Sequence, residues 1–102
     1  MVVTAREVIA TRVCVTLYRS EFLTNGDDIV TAIQRGYRET KKKALDLARH
    51  LLHGATMTTD ADDFFFSCEM RVDRVYADQT HEVVERAYLD QDGIFTDFRD
   101  AV

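Results

Sequence analysis

The sequence predicts an α+β fold: an antiparallel sheet of four to five strands with one main helix packed on one face, in the order β-β-α-β-β-β. Three observations predict it. β-branched and aromatic residues alternate over two runs in the first third, one apolar stripe at helical spacing occupies residues 39–53, and alternation returns from Phe64 almost to the end.

The first strand is expected from about Thr11 to Leu23, where Val13, Val15 and Leu17 alternate with Cys14, Thr16 and Tyr18. Asn25-Gly26 follows, and both residues tolerate the positive φ of a type I′ hairpin turn. A two-residue loop there pairs Thr24 with Asp27, Phe22 with Ile29, Tyr18 with Ile33 and Cys14 with Tyr37, which makes Asp28 to Tyr37 a second strand. A single helix from Asp28 to His53 is the competing reading, since Ile29, Ile33, Tyr37, Ala44, Leu47 and Leu51 also fall at helical spacing. Its length of about 40 Å exceeds what a compact domain with a radius of gyration near 13 Å accommodates.

Glu39 to His53 is expected to be helical, with Ala44, Leu47, Ala48 and Leu51 on one stripe and Leu45 and Leu52 widening it. Gly54 suits the residue after the helix, and Arg49, His50 and His53 suit its negative end. Lys41, Lys42 and Lys43 in the first turn oppose the helix dipole. Thr56 to Asp63 reads as a polar loop. Phe64 to Tyr76 reads as a half-buried strand, Asp78-Gln79-Thr80 as a turn, and Glu82 to Leu89 as a further strand. Asp92-Gly93 punctuates the chain before a short last strand, Ile94 to Phe98, and the tail Arg99 to Val102 is expected to fray.

At 102 residues the chain predicts a single domain, 1–102, and 46% hydrophobic with 30% charged residues predicts that it folds. No apolar run reaches the roughly 20 residues of a membrane span, and no secretory signal opens the chain, so a cytoplasmic setting without membrane contact is expected. Cys14 and Cys68 are too few and too far apart for a disulfide framework or a Cys-x-x-Cys site, and both sit in apolar runs as small buried hydrophobes.

Charge is distributed unevenly. Residues 1–53 hold nine Lys/Arg against six Asp/Glu, a net +3, and residues 54–102 hold four against twelve, a net −8, which together give the overall −5. Phosphate backbones are bound through Lys and Arg, so the acidic half makes nucleic acid an unlikely partner and a basic protein surface a better one. The expected partner-binding residues are Asp60, Asp62, Asp63, Asp73, Asp78, Glu82, Glu85, Asp90 and Asp92, with Asp97 and Asp100 beside them. The opposing basic patch is Arg35, Arg38, Lys41, Lys42 and Lys43, with Tyr37 interleaved.

No motif with its own chemistry is visible. His50 and His53 are one helical turn apart, but a structural zinc site needs four ligands and the neighbourhood supplies none, so neither a metal nor another cofactor is expected. Asp60-Asp62-Asp63 and Asp90-Asp92-Gly93 both depart from the calcium-loop pattern. Ser20 and Ser67 lie in no nucleophile elbow, and four glycines form no phosphate cradle.

Two functional classes follow. The first is a non-enzymatic protein-binding or regulatory module, in its sharpest form a phage-type inhibitor that docks on the basic nucleic-acid-binding surface of a host complex. The second is a small dimeric ligand-binding or enzyme domain, its uncovered sheet face buried against a second copy through Phe65, Val83 and Tyr88, with Tyr76 or His81 near the site.

Overall fold

The structure, a computed structural model, describes residues 7–22, 28–58 and 60–101, the side chains at positions 22 and 28 excepted. It contains five strands and one helix: β1 (Val8–Phe22), β2 (Asp28–Arg38), α1 (Lys41–Thr56), β3 (Phe64–Tyr76), β4 (His81–Asp90) and β5 (Phe95–Asp100). All strand pairings are antiparallel, and the sheet order is β2-β1-β3-β4-β5. This is the α+β class expected.

Pattern and burial agree where the apolar period is strongest. Val13, Val15 and Leu17 on β1 and Phe66, Cys68, Met70 and Val72 on β3 face α1, and Ala87 and Leu89 of β4 extend the same layer. α1 meets them with Ala44, Ala48, Leu52 and Ala55. Three of these four are alanines, so the helix axis approaches closely enough for the Cys68 thiol to donate to the Ala48 carbonyl at 3.7 Å. At Gly36 a Cβ would lie 3.3 Å from Leu47 Cδ2, so the missing side chain lets the helix edge settle against β2.

The opposite face of the sheet has no second layer, yet Cys14 and Thr16 are only 1% exposed. Long neighbouring side chains seal them. Arg12 lies over the Tyr37 ring at 4.5 Å and reaches Asp73 at 3.9 Å, and Arg71 donates to Cys14 Sγ at 3.4 Å and forms an ion pair with Glu69 at 3.2 Å. The aliphatic stems of these arginines cover apolar surface while their heads stay near water. Donation to Cys14 pushes the Arg71 guanidinium still higher than its ordinary range.

Several expectations are corrected. β1 begins earlier, at Val8, and is described as far as Phe22, Leu23 lying outside the described residues. Asn25-Gly26 and the Thr24–Asp27 pair lie outside the described residues. Cys14 does pair with Tyr37, but above it the register slips: Leu17 opposes Gln34 while Tyr18 opposes Ala32, which leaves Ile33 as the extra residue of a bulge. Tyr18–Ile33 and Phe22–Ile29 are therefore not partners, and Glu21 faces Ile29 instead. The alternative helix from Asp28 to His53 is not formed. The molecule spans 60 Å along its long axis with a radius of gyration of 16.2 Å, so length alone does not forbid it. Pairing of the β-branched Ile29, Val30 and Thr31 with β1 decides the matter.

The helix starts at Lys41 and passes through Gly54 to Thr56, beyond the expected end at His53. Burial of Ala55 rewards the additional residues, and Thr56 Oγ1 donates to the His53 carbonyl at 3.0 Å. Thr40 caps the N-terminus by accepting from Lys43 N at 3.2 Å. The three lysines that oppose the dipole are offset in part by Glu39, 3.2 Å from Lys43, and Glu85, 2.9 Å from Lys41.

The expected loop contains a 3₁₀ turn at Ala61–Asp63. The β3–β4 turn holds Gln79 at φ 72°, with Asp78 Oδ1 accepting from Thr80 N at 3.0 Å. In the β4–β5 turn Gly93 takes φ 83°, and Asp90 Oδ1 accepts from the backbone of Asp92 and Ile94 at 2.9 and 3.0 Å. β5 starts one residue later than expected. The tail is held rather than frayed: Arg99 and Asp100 belong to β5, and Ala101 N donates to the Val84 carbonyl at 3.1 Å.

Candidate functional site

A cleft of about 560 Å³ opens where the C-terminal half of α1 leaves the sheet. Leu17, Ile33, Leu51, Ala55, Phe64 and Phe66 form its apolar walls, and Arg19, Gln34, His50, Thr58 and Asp60 supply polar groups. Each wall has a local cause. Ile33 is the bulged residue of β2, and the bulge turns it toward the α1 side beside Gln34, where both line the cleft. Leu51 and Ala55 lie on the helix stripe that overruns the expected end. Phe64 and Phe66 pack edge to face at 6.2 Å.

Arg19 organises the open side. Its guanidinium stacks on Phe64 at 4.2 Å from the ring centroid and pairs with Glu21, while its Nε is buried without a hydrogen-bond partner. Arg19 falls on the inward face defined by Val13, Val15 and Leu17, and an arginine ending such a run is the signal in the sequence that marks this end of the strand.

The predicted carboxylates divide into three groups. Asp60 lines the cleft, and Asp62 and Asp63 follow it into the 3₁₀ turn that leads to Phe64. Asp90 and Asp92 occupy the β4–β5 turn at the same end of the sheet. That turn is tied to β3 because Gln91 N donates to the Phe66 carbonyl at 3.0 Å and Phe66 N donates to Gln91 Oε1 at 2.7 Å. Among the described residues no ion pair involves Asp60, Asp62, Asp63 or Asp92. Asp78 and Glu82 lie at the opposite end, where Tyr76 Oη donates to Glu82 at 3.2 Å. Asp73 and Glu85 are engaged by Arg12 and Lys41. Asp97 and Asp100 are on β5.

Arg35, Arg38 and Lys41 to Lys43 gather where β2 passes into α1, the end remote from Asp60 to Asp63. Acidic residues thus stand at both ends of the strands, Asp60 to Asp63 with Asp90 and Asp92 around the cleft and Asp78 with Glu82 at the other end, and the basic cluster lies at the helix start.

His50 lines the cleft and His53 is exposed one turn on. Among the described residues no group of three His, Cys, Asp or Glu could hold a metal ion, and no helix is long and apolar enough to cross a membrane. Both cysteines are buried free thiols, and burial pushes Cys68 up to about 12 from an ordinary 9.0, so this thiol stays protonated. Tyr76 is buried and His81 exposed, and both lie at the far end of β3 from the cleft. Phe65 and Val83 are half-buried and Tyr88 exposed on the sheet. No protein-family model, curated protein or solved structure matches this chain.

Proposed function

We propose that the protein is a binding module for a basic partner protein: an apolar side chain of the partner enters the cleft and its flanking Lys or Arg residues meet Asp60, Asp62 and Asp63. One observation supports this best, an apolar cleft of about 560 Å³ lined by Asp60, with Asp62 and Asp63 in the adjoining 3₁₀ turn and none of the three in an ion pair among the described residues. Interfaces concentrate affinity in a buried apolar anchor, while rim charges set encounter rate and selectivity. Asp90 and Asp92 extend the negative end toward β4. In its sharpest form the module is an inhibitor of the phage type, its carboxylates standing where phosphates lie on a host protein's nucleic-acid-binding surface. In this role the chain binds rather than catalyses. A cytoplasmic setting suits its two free cysteines.

The test is a titration of labelled Lys/Arg-rich peptides, with and without one central Leu or Phe. The apolar residue should tighten binding, and D60N/D62N/D63N should weaken it and flatten its salt dependence. Equal affinity for both peptides, or no effect of the triple variant, removes the proposal.

The second reading is a small-ligand site at a subunit interface. It is favoured by one observation: Ile33 and Gln34 of the edge strand β2 form a wall of the cleft, whose volume falls in the usual range for ligand sites. A thermal-shift screen that raises the melting midpoint with a metabolite and not with a basic peptide would select it.

A further inference from the structure

We infer that β2 is a self-association edge, and that a second copy of this chain adds its own β2 antiparallel to it, joining two five-stranded sheets into one. A free sheet edge exposes a row of unpaired N–H and C=O groups, and natural proteins blunt such rows with short strands, charges or proline. Apart from the bulge at Ile33 and the charges of Arg35 and Arg38, β2 lacks these protections. It is 11 residues long, and Ile29 to Gln34 contains no charge, no proline and no glycine. Its apolar residues face solvent: Ile29 is 49% exposed, Val30 63%, Ile33 43% and Tyr37 54%.

The partner is a second copy rather than an unrelated strand because β2 is complementary to itself: Val30 and Tyr37 share the uncovered face near its two ends, and an antiparallel copy sets Val30 of each beside Tyr37 of the other, an aliphatic–aromatic cross-strand pair made twice. Val30 and Tyr37 lie on the uncovered sheet face and Ile33 on the α1 side, so apolar side chains of the second β2 find neighbours on both faces. A two-fold arrangement of this kind uses up the one such edge among the described residues and closes. The opposite edge, β5, is six residues long and bears Asp97, Arg99 and Asp100, so the joined sheet does not extend from there.

Sedimentation velocity of the full chain over a dilution series tests this. The expected result is a reversible monomer–dimer equilibrium with no larger species. The substitutions V30K and I33K should each shift the protein to monomer while leaving its far-ultraviolet circular dichroism unchanged. If a lysine variant fails to fold, a disulfide trap serves instead: wild type, V30C/Y37C and T96C are oxidised side by side. V30C/Y37C, which sets a cysteine of each β2 beside one of the other in the antiparallel pairing, should form a covalent dimer that remains one closed species, and T96C, on β5, should not. A wild-type chain that stays monomeric at high concentration, that forms open-ended aggregates, or that dimerises equally well as V30K and I33K overturns the inference. Peptide binding is read separately in wild type and V30K, because Ile33 is also a wall of the cleft, so either result stands without the other.

Discussion

Strands β2 and β5 bound the same sheet on its two sides, but their side chains are distributed in opposite ways. β5 turns its bulky Phe98 inward against the core, where Lys41 lies over the ring at 4.9 Å and also binds Glu85 of β4. Three of its other five residues, Asp97, Arg99 and Asp100, are charged, and Phe95 at 41% is its one large exposed apolar side chain. β2 turns Gly36 and Gln34 toward α1 and leaves four large apolar residues in water. The same edge geometry is thus finished on one side and unfinished on the other. An edge tied to the core by one aromatic and covered by charges is an end of the fold, whereas an edge with its apolar surface outside is a place where the fold continues into something else.

The comparison is sharpened first at its shared centre. Met70, fully buried on β3, supports both halves of the sheet, and Met70→Ala should cost about 2–5 kcal/mol in chemical denaturation. Both edges should unfold together in that variant; separate transitions would mean that they are independent units. Next, Phe98→Ala should cost about 1–3 kcal/mol, less than a fully buried aromatic because Phe98 is half-buried. Val30→Ala, measured where the chain is monomeric, should stay within about 0.5 kcal/mol. Equal costs at the two positions would break the contrast. Thr40→Ala removes the cap at the junction of β2 and α1 and should cost about 1 kcal/mol without loosening β5.

The smallest effect concerns pH. With Cys68 raised from 9.0 to about 12, the unfolded chain sheds this proton above pH 9 while the folded chain keeps it. The unfolded state then binds fewer protons, so stability falls as pH rises from 9 toward 12 and is unaffected by this group below 9. Melting curves across that window should fall less steeply for Cys68→Ala than for wild type, and equally steep curves would show that the thiol is not desolvated.

Much of the fold is legible in the residues because burial follows period. Phe64 to Tyr76 alternates cleanly and forms a strand with those bounds, and of the expected helix stripe Ala44 and Ala48 are buried, while Leu47 and Leu51 are half-buried and Leu52 and Ala55 complete the buried line. The parts that were not legible depend on tertiary contacts. A bulge at Ile33 breaks the parity on which hairpin pairing is counted, and nothing local distinguishes Ile33 from its neighbours as the extra residue. Gly54 reads as a stop because the contact that carries the helix past it, Ala55 against the sheet, is long-range. The tail reads as frayed because its anchor is the carbonyl of Val84. The cleft draws on β1, β2, α1 and β3 together, and only Arg19, a charge on an apolar face, hints at it. The charge split was visible in the residues, but the sheet topology divides the acids of the later half between both ends of the strands. Asp73 and Glu85 lose their place among the free acids because Arg12 and Lys41 reach them across the sheet.

Residue-resolved amide hydrogen exchange along β2, at a concentration where the protein is associated, tests the unfinished edge most directly. If a second β2 is bound, amides on both sides of the strand from Ile29 to Gln34 should be protected, and dilution should release the outward set alone while β5 is unchanged. Outward β2 amides that exchange freely at every concentration would contradict it.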